Sequence, residues 1–505
     1  MELDARKIAD GTALEADLCI IGAGPAGIAL AREFLGTKTG VLILESGGRW
    51  PERRIQKLND GDVVGDRYVG LRRSRRRAVG GTTHLWNTPV AGAKGAKYVP
   101  LDPWDFIEHA DLPHGGWPFD YSQLEPFYRR AQAFCGLGPF TYEGEDWFDG
   151  KLRGFPLGAN LSTKVYQFGA GDIFTRSYPG EICASGNISL CHHATVCGLE
   201  TDAAGRKVVT ARLARLSDGQ FQARARVFVL AAGAIENARL LLSNGGGSSA
   251  PGNRYGWVGR CFMEHLRDYA LTFIPRSPEM FAQAGFYDVH SAPDGSIIGG
   301  RIAIAESAVR NNRLPNASVT LFPRLKTWPI SVGLVRRMWR RGRLQPTMGY
   351  RWSRVVDLSR RCDAFQLLVN FERKPDPENR VALGRRRDFF GIQRAELHWR
   401  WRAEEQAALE KLRTFLAAEL ESAGLGRVEV RPGQRPDPNA HHHSGTTRMH
   451  EDPRFGVLDG DGRVHETDNL YIAGASVFPS AGYANPTLTI VALALRLADH
   501  LKQRI

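Results

Sequence analysis

Four stretches of the chain are apolar without alternation: residues 18–21 (Leu-Cys-Ile-Ile), 41–44 (Val-Leu-Ile-Leu), 227–232 (Val-Phe-Val-Leu-Ala-Ala) and 470–475 (Leu-Tyr-Ile-Ala-Gly-Ala). Runs this short and this apolar predict strands covered on both faces, the pattern of a parallel sheet. Helical patterns follow three of them, from Pro25 to about Leu35, from about Ile235 to Leu242, and from Asn485-Pro486, read as N-cap and first helical residue, to about Leu501. Elsewhere the period is two. Residues 364–372 and 395–401 alternate as strands with one exposed face, and residues 188–230 read as strands and turns with a hairpin signal at Ser217-Asp218-Gly219-Gln220. Leu409, Leu412, Leu416 and Leu420 stripe an amphipathic helix that stops at Gly424. With 505 residues, more than one core is expected. The pattern predicts an α/β fold in which an antiparallel α+β unit is inserted into a parallel one.

The first apolar run ends in Gly22, Gly24 and Gly27, at the spacing of a dinucleotide loop. Gly22 allows the turn, Gly24 lets backbone N–H groups approach a pyrophosphate, and Gly27 lets the helix pack against the strand. Glu45 ends the second strand, where a carboxylate binds a ribose hydroxyl. The small residues Ala232 and Gly233 let backbone pass near the same ligand. Gly245-Gly246-Gly247 has no strand before it and reads as a surface loop. A second fingerprint for a nicotinamide is therefore missing, which disfavours a flavin monooxygenase or reductase using NAD(P)H.

Charge changes this picture little. A net +13 arises mostly from arginine, including five between residues 71 and 77 and a basic stretch at 334–343. A basic nucleic-acid or membrane-surface binder is the non-enzymatic alternative, but solvated faces are the simpler reading of both stretches. Seven cysteines without a C-x-x-C pair argue against a disulfide framework. With no apolar run of about eighteen residues and no signal peptide, a cytoplasmic setting is expected, with membrane contact at most peripheral.

Val79-Gly80-Gly81-Thr82-Thr83-His84-Leu85-Trp86-Asn87 resembles the segment that lines the flavin in the glucose-methanol-choline (GMC) oxidoreductases, and is most similar to the pyranose-oxidase branch. The resemblance implies that Gly80, Gly81, Thr82, Trp86 and Asn87 contact FAD and that Val196 offers its backbone to the adenine. In that branch a histidine directly before the tryptophan bonds covalently to the flavin. Leu85 stands there in this chain, and His84 one residue earlier, which implies non-covalent FAD. Trp117-Pro118 before a helix and the turns expected at 376–383 and 387–391 are similar to the same family. The resemblance implies a Rossmann-like FAD-binding domain at 1–100, 186–270 and 431–505, with a substrate domain at 101–185 and 271–430.

The C-terminal region carries the chemistry. His442, Gly445 and Thr446 form H-x-x-G-T, and Asn485, Pro486 and Thr487 form N-P-T, with the strand ending in Gly474 and Ala475 between them. Their order is similar to the GMC signature, which implies His442 and Asn485 as the catalytic pair. Neighbours in an extended run face opposite ways, so His442 is expected to face the flavin, with His441 and His443 turned away. No second ligand cluster completes a coordination shell for the three histidines, and no metal is expected. The implied activity is FAD-dependent oxidation of an alcohol on a sugar, glycoside or sugar-derived product, with electrons passed on to oxygen, a quinone or another acceptor.

Overall fold

The computed structural model describes residues 1–90, 93–108, 115–217, 219–245, 247–326 and 347–505. The basic stretch at 334–343, together with His114, Asp218 and Gly246, lies outside the described residues. The apolar runs form the middle of an eight-stranded sheet in the order Glu2–Asp4, Ile188–His192, Val41–Leu44, Ala13–Ile21, Gln220–Leu230, Val208–Ala214 and Thr195–Thr201. The first five are mutually parallel, and the last two form an antiparallel extension. Gln220–Leu230 changes neighbours along its length. Its first four residues pair with Val208–Ala214, and Phe228, Val229 and Leu230 pair with the C-terminal strand Leu470–Ile472.

The helix Pro25–Arg32 is shorter than expected, and loose turns continue through residue 37. Ala234–Ser243 and Thr487–Lys502 complete the strand–helix alternation. Thr487–Lys502 packs on both Pro25–Arg32 and Tyr121–Phe134, where Tyr128 Oη and Thr489 Oγ1 are 2.9 Å apart.

A second, ten-stranded sheet is antiparallel throughout. It includes Thr88–Val90, Ala93–Tyr98 and Leu266–Asp268, all expected within the dinucleotide domain. Residues 93–98 read Ala-Lys-Gly-Ala-Lys-Tyr, with no apolar run to bury on two faces, and so suit an antiparallel pairing with Leu161–Ala170. Part of the expected turn at 376–383 is also a strand. Arg380–Arg387 pairs with Gln393–Trp399, and that hairpin joins Gly61–Gly65 in a three-stranded sheet. Residues 376–379 do turn, with the Asn379 N–H donating to the Asp376 carbonyl at 3.0 Å, and so does the hairpin tip, where the Asp388 N–H donates to the Ile392 carbonyl at 2.8 Å.

The stripe Leu409, Leu412, Leu416 and Leu420 is buried under the helix Ala403–Ser422. On the same helix Arg413 donates to Asp268 through Nε at 2.9 Å and Nη2 at 2.7 Å, and both side chains are sealed from solvent. This bidentate pair fastens the helix to the ten-stranded sheet. Removing Asp268 would strip the sealed guanidinium of its bidentate partner and leave it Glu410, at 2.6 Å on its own helix. Asp268→Ala is therefore expected to destabilise the protein by about 3–5 kcal/mol, read as a lowered thermal midpoint in the flavin-loaded protein; an unchanged midpoint would contradict the fastening role.

Candidate active site

A cavity of about 840 Å³ opens at the carboxyl ends of the parallel strands, between the two large sheets. Gly22, Gly24, Glu45, Gly81, Thr82, Trp86, Asn87, Val196, Ala232, Gly233, Gly474, Ala475, Pro486 and Thr487 all border it. Gly27 and Gly80 stand one layer behind. A side chain at Gly27 would collide with the Gly22 carbonyl oxygen, which explains the close strand–helix approach. Gly80 has φ 92°, and its N–H donates to the Ala23 carbonyl at 2.7 Å, docking the second glycine turn on the first.

The wall fits a dinucleotide. A Cβ built on Gly24 would meet no atom within 4 Å, so backbone is open to a phosphate at the start of Pro25–Arg32, a helix that no side chain caps. Glu45 is buried, and its Oε2 accepts from the Ala23 N–H at 3.0 Å while Oε1 accepts from the Gly47 N–H at 2.8 Å. Desolvation raises its pKa against the pull of those donors. Each oxygen keeps a further lone pair for a ribose hydroxyl.

The arginine run at 71–77 is not simply a solvated face. Arg75 and Arg77 each reach Glu236 at 2.6 Å, and Arg239 bridges Glu236 at 3.1 Å and Asp388 at 2.5 Å. Although burial opposes it, the guanidinium groups hold Glu236 well below the usual carboxylate range. Three guanidiniums against two carboxylates leave positive charge beside the cavity, suited to an anionic ligand. His84 does not border the cavity; its Nε2 meets the Val79 carbonyl at 2.9 Å, and Leu85 faces in.

The reacting end is organised by a short antiparallel contact. Met263 and Ser444 exchange two backbone hydrogen bonds, at 3.0 and 3.1 Å, so that residue 265 falls opposite residue 442. His442 Nδ1 then lies 2.8 Å from His265 Nδ1, and Asn485 Nδ2 lies 3.0 Å from His442 Nε2. His265 Nε2 lies 3.3 Å from the Ala481 carbonyl, which can only accept. His265 therefore carries its proton on Nε2 and accepts at Nδ1, so His442 carries its proton on Nδ1. The lone pair of His442 Nε2 is left facing Asn485 and the cavity.

Asn485 was expected to cap the last helix. Pro486 occupies that position instead, no side chain caps the helix, and the Asn485 amide is free to serve His442. The three histidines also differ from expectation, since His441, His442 and His443 all border the cavity. His441 has φ 65°, so the run is not extended and the two-residue alternation does not apply. His443 lies against the rings of Tyr68 and Phe262.

Burial, followed by the charges of His265, Lys97 and Arg267, pushes the His442 pKa well below 6.5, and burial pushes His265 down to about 4. Glu264, which accepts from the His442 backbone N–H and from Tyr68 Oη at 2.7 Å each, is raised by burial to about 8. Glu264 and His265 were absent from the expected site. They lie in Phe262-Met263-Glu264-His265-Leu266, where an isolated pair in an apolar context carries no spacing signal.

Residues 375–494 match the model of the GMC oxidoreductase family. The large subunit of fructose dehydrogenase from Gluconobacter japonicus is 26% identical across 96% of this chain and 97% of its own. Paromamine 6'-oxidase from Streptomyces fradiae is 24% identical across 95% and 90%. The crystal structure of pyridoxine 4-oxidase from Mesorbium loti superposes with a TM-score of 0.57 at 16% identity, over 97% of this chain and 99% of that one. The family model matches the C-terminal quarter, and together with the whole-length likeness to alcohol oxidases and dehydrogenases it supports an FAD-dependent alcohol oxidoreductase of the GMC type.

The neutral histidines make stability pH-dependent. The unfolded chain takes up a proton on His265 near ~6.5, whereas the folded chain resists until about 4. Stability conferred by the neutral form is thus present above ~6.5 and is lost as the pH falls through that window, by about 3 kcal/mol for His265 alone. Thermal midpoints of wild type and His265→Asn between pH 7 and 4 are expected to converge on acidification; parallel curves would contradict this account.

Proposed function

We propose that the enzyme oxidises a secondary or primary hydroxyl of a sugar or glycoside, with His442 as base and Asn485 as orienting amide. The observation that carries this reading is the proton order along Asn485, His442, His265 and Ala481, which leaves a lone pair on His442 Nε2 in the cavity. A substrate hydroxyl entering between Asn485 and His442 would donate its proton to Nε2 and accept from Nδ2. Bound FAD supplies the acceptor for the two electrons and hydrogen leaving the carbinol carbon as hydride. His442 collects the hydroxyl proton, so the C–H bond breaks as the carbonyl forms and charge is balanced. The resulting imidazolium keeps its Nδ1–H bond to His265.

The opposite wall comes from the ten-stranded sheet and the loops beside it. Tyr269, Phe322 and Tyr350 offer ring faces and Asn370 and Asn439 offer amides, a mixture suited to a ring with polar edges and apolar C–H faces. Lys97 and Arg267 also border this wall, and no carboxylate does among the described residues from that sheet. Arg267 is paired with Asp437 at 3.1 Å, which leaves Lys97 as the wall's cation and favours a neutral or acidic sugar over a polyamine. Fructose dehydrogenase and paromamine 6'-oxidase act on sugar-type alcohols, which supports the class. We assign the protein to the cytoplasm on its seven free thiols, and none of the described helices is long and apolar enough to cross a membrane. Retention of FAD without a covalent bond is supported by Leu85 facing the cavity and by the His84 contact with Val79.

Anaerobic stopped-flow reduction with a panel of neutral, acidic and amino sugars tests the assignment. His442→Ala is expected to retain FAD and to slow flavin reduction by on the order of 10²–10⁴, with smaller effects from alanine at His441 or His443. Wild-type reduction should hold its rate below pH 6.5 and fail only in more acidic solution, because the His442 pKa is depressed. A His442→Ala enzyme reduced at the wild-type rate would remove the mechanism. Flavin colour should leave the polypeptide on acid precipitation; colour retained in the pellet would show a covalent link.

A further inference from the structure

Away from the cavity, a second group of ligating side chains converges from two adjacent strands. Glu2–Asp4 pairs in parallel with Ile188–His192, with Asp4 opposite His192. His193, just past the strand, has φ 58°, and its Nδ1 lies 2.7 Å from His192 Nδ1. Asp4 Oδ1 is 3.4 Å from His193 Nδ1 and 3.9 Å from His192 Nδ1. The side chains of Asp4, His192 and His193 are 16%, 11% and 8% exposed, enough to admit an ion but little else.

The outer ring nitrogens decide where the protons are. His192 Nε2 faces Glu2 Oε1 at 3.3 Å, and His193 Nε2 faces Glu52 Oε1 at 2.6 Å. Carboxylates only accept, so each Nε2 carries a proton and each neutral ring turns a lone pair inward at Nδ1. The two lone pairs then face each other with no proton between the rings, beside Asp4 Oδ1, which also accepts from the Arg6 N–H at 3.1 Å and from Arg6 Nε at 3.0 Å. Imidazoles aimed inward, each with a carboxylate on its far nitrogen, are the arrangement of metal-binding histidines.

We propose that Asp4, His192 and His193 bind a divalent first-row ion of the zinc class, with Glu2 and Glu52 orienting the two imidazoles. Ligands held ~2.0–2.1 Å from tetrahedral zinc stand about 3.4 Å apart, near the Asp4 spacings, and the two Nδ1 atoms need part only slightly. Asp4 Oδ2 stays with Arg6 Nη2 at 2.6 Å, Oδ1 would share the ion with its Arg6 donors at 3.0 and 3.1 Å, and a fourth position remains for water. The site adjoins the ribose end of the cavity, because the His193 N–H donates to Gly47 and the Ala194 N–H to Glu45, each at 2.9 Å. Metal there would brace the loop that carries Glu45.

Chelator-stripped, flavin-loaded protein titrated with zinc by calorimetry at pH 8, alongside elemental analysis of the protein as purified, tests the proposal. One zinc per chain is expected. Asp4→Asn and His193→Gln should abolish it, and Glu52→Gln should weaken it about 10–100-fold. His398→Gln, in the hairpin strand Gln393–Trp399, should leave it intact. Stripping the metal should also lower FAD affinity in wild type but not in His193→Gln. Flavin content and circular dichroism establish that each variant is folded. Failure of wild type to bind zinc at pH 8 would show that a shared proton, not a metal, joins the histidines. Undiminished binding by His193→Gln would place the ion elsewhere, and either result overturns the proposal.

Discussion

One backbone carbonyl fixes the proton order of the active site. Ala481 cannot donate, so the hydrogen bonds from it through His265 and His442 to Asn485 run in one direction. The carbonyl has this influence only because Met263 and Ser444 pair and bring residue 265 opposite residue 442. The site is therefore preorganised by main-chain geometry at the join between the sheets, and side-chain freedom contributes little. In a buried setting, where charge is costly, such an order keeps His442 neutral, with its proton on Nδ1 and its Nε2 bare.

Much of the dinucleotide half was legible because its signals are local. Gly22, Gly24 and Gly27 follow an apolar strand directly, and Val41–Leu44 and Leu470–Ile472 are apolar for their whole length; a strand buried on both faces leaves that mark whatever lies elsewhere. The meeting of His442 and Asn485 at the cavity was legible by resemblance. Their chemistry was not, because the tautomer depends on His265, 177 residues away in sequence. The arginines at 75 and 77 were misread for the same reason, since their partner Glu236 lies on a distant helix. Arg380–Arg387 was hidden by its basic tail, which resembles a solvated turn unless its pairing with Gln393–Trp399 is known.

The two walls of the cavity impose different demands. The dinucleotide wall relies on backbone, through small residues, uncapped helix starts and N–H groups. The sheet wall relies on side chains, through rings, amides and the cations Lys97 and Arg267. Exchange of side chains on the second wall can change the preferred alcohol while the first is untouched, which is consistent with relatives named for dissimilar substrates.

The strand Gln220–Leu230 has a consequence for biosynthesis. Its first residues find their partner in the preceding hairpin, but Phe228, Val229 and Leu230 wait for Leu470–Ile472, made some 240 residues later. A ribosome-bound chain thus carries an apolar strand edge open to other chains through nearly half of its synthesis. Closure of that edge is also the event that delivers Gly474, Ala475 and the following Asn485 to the cavity. In this protein the last step in completing the sheet and the first moment of catalytic competence coincide.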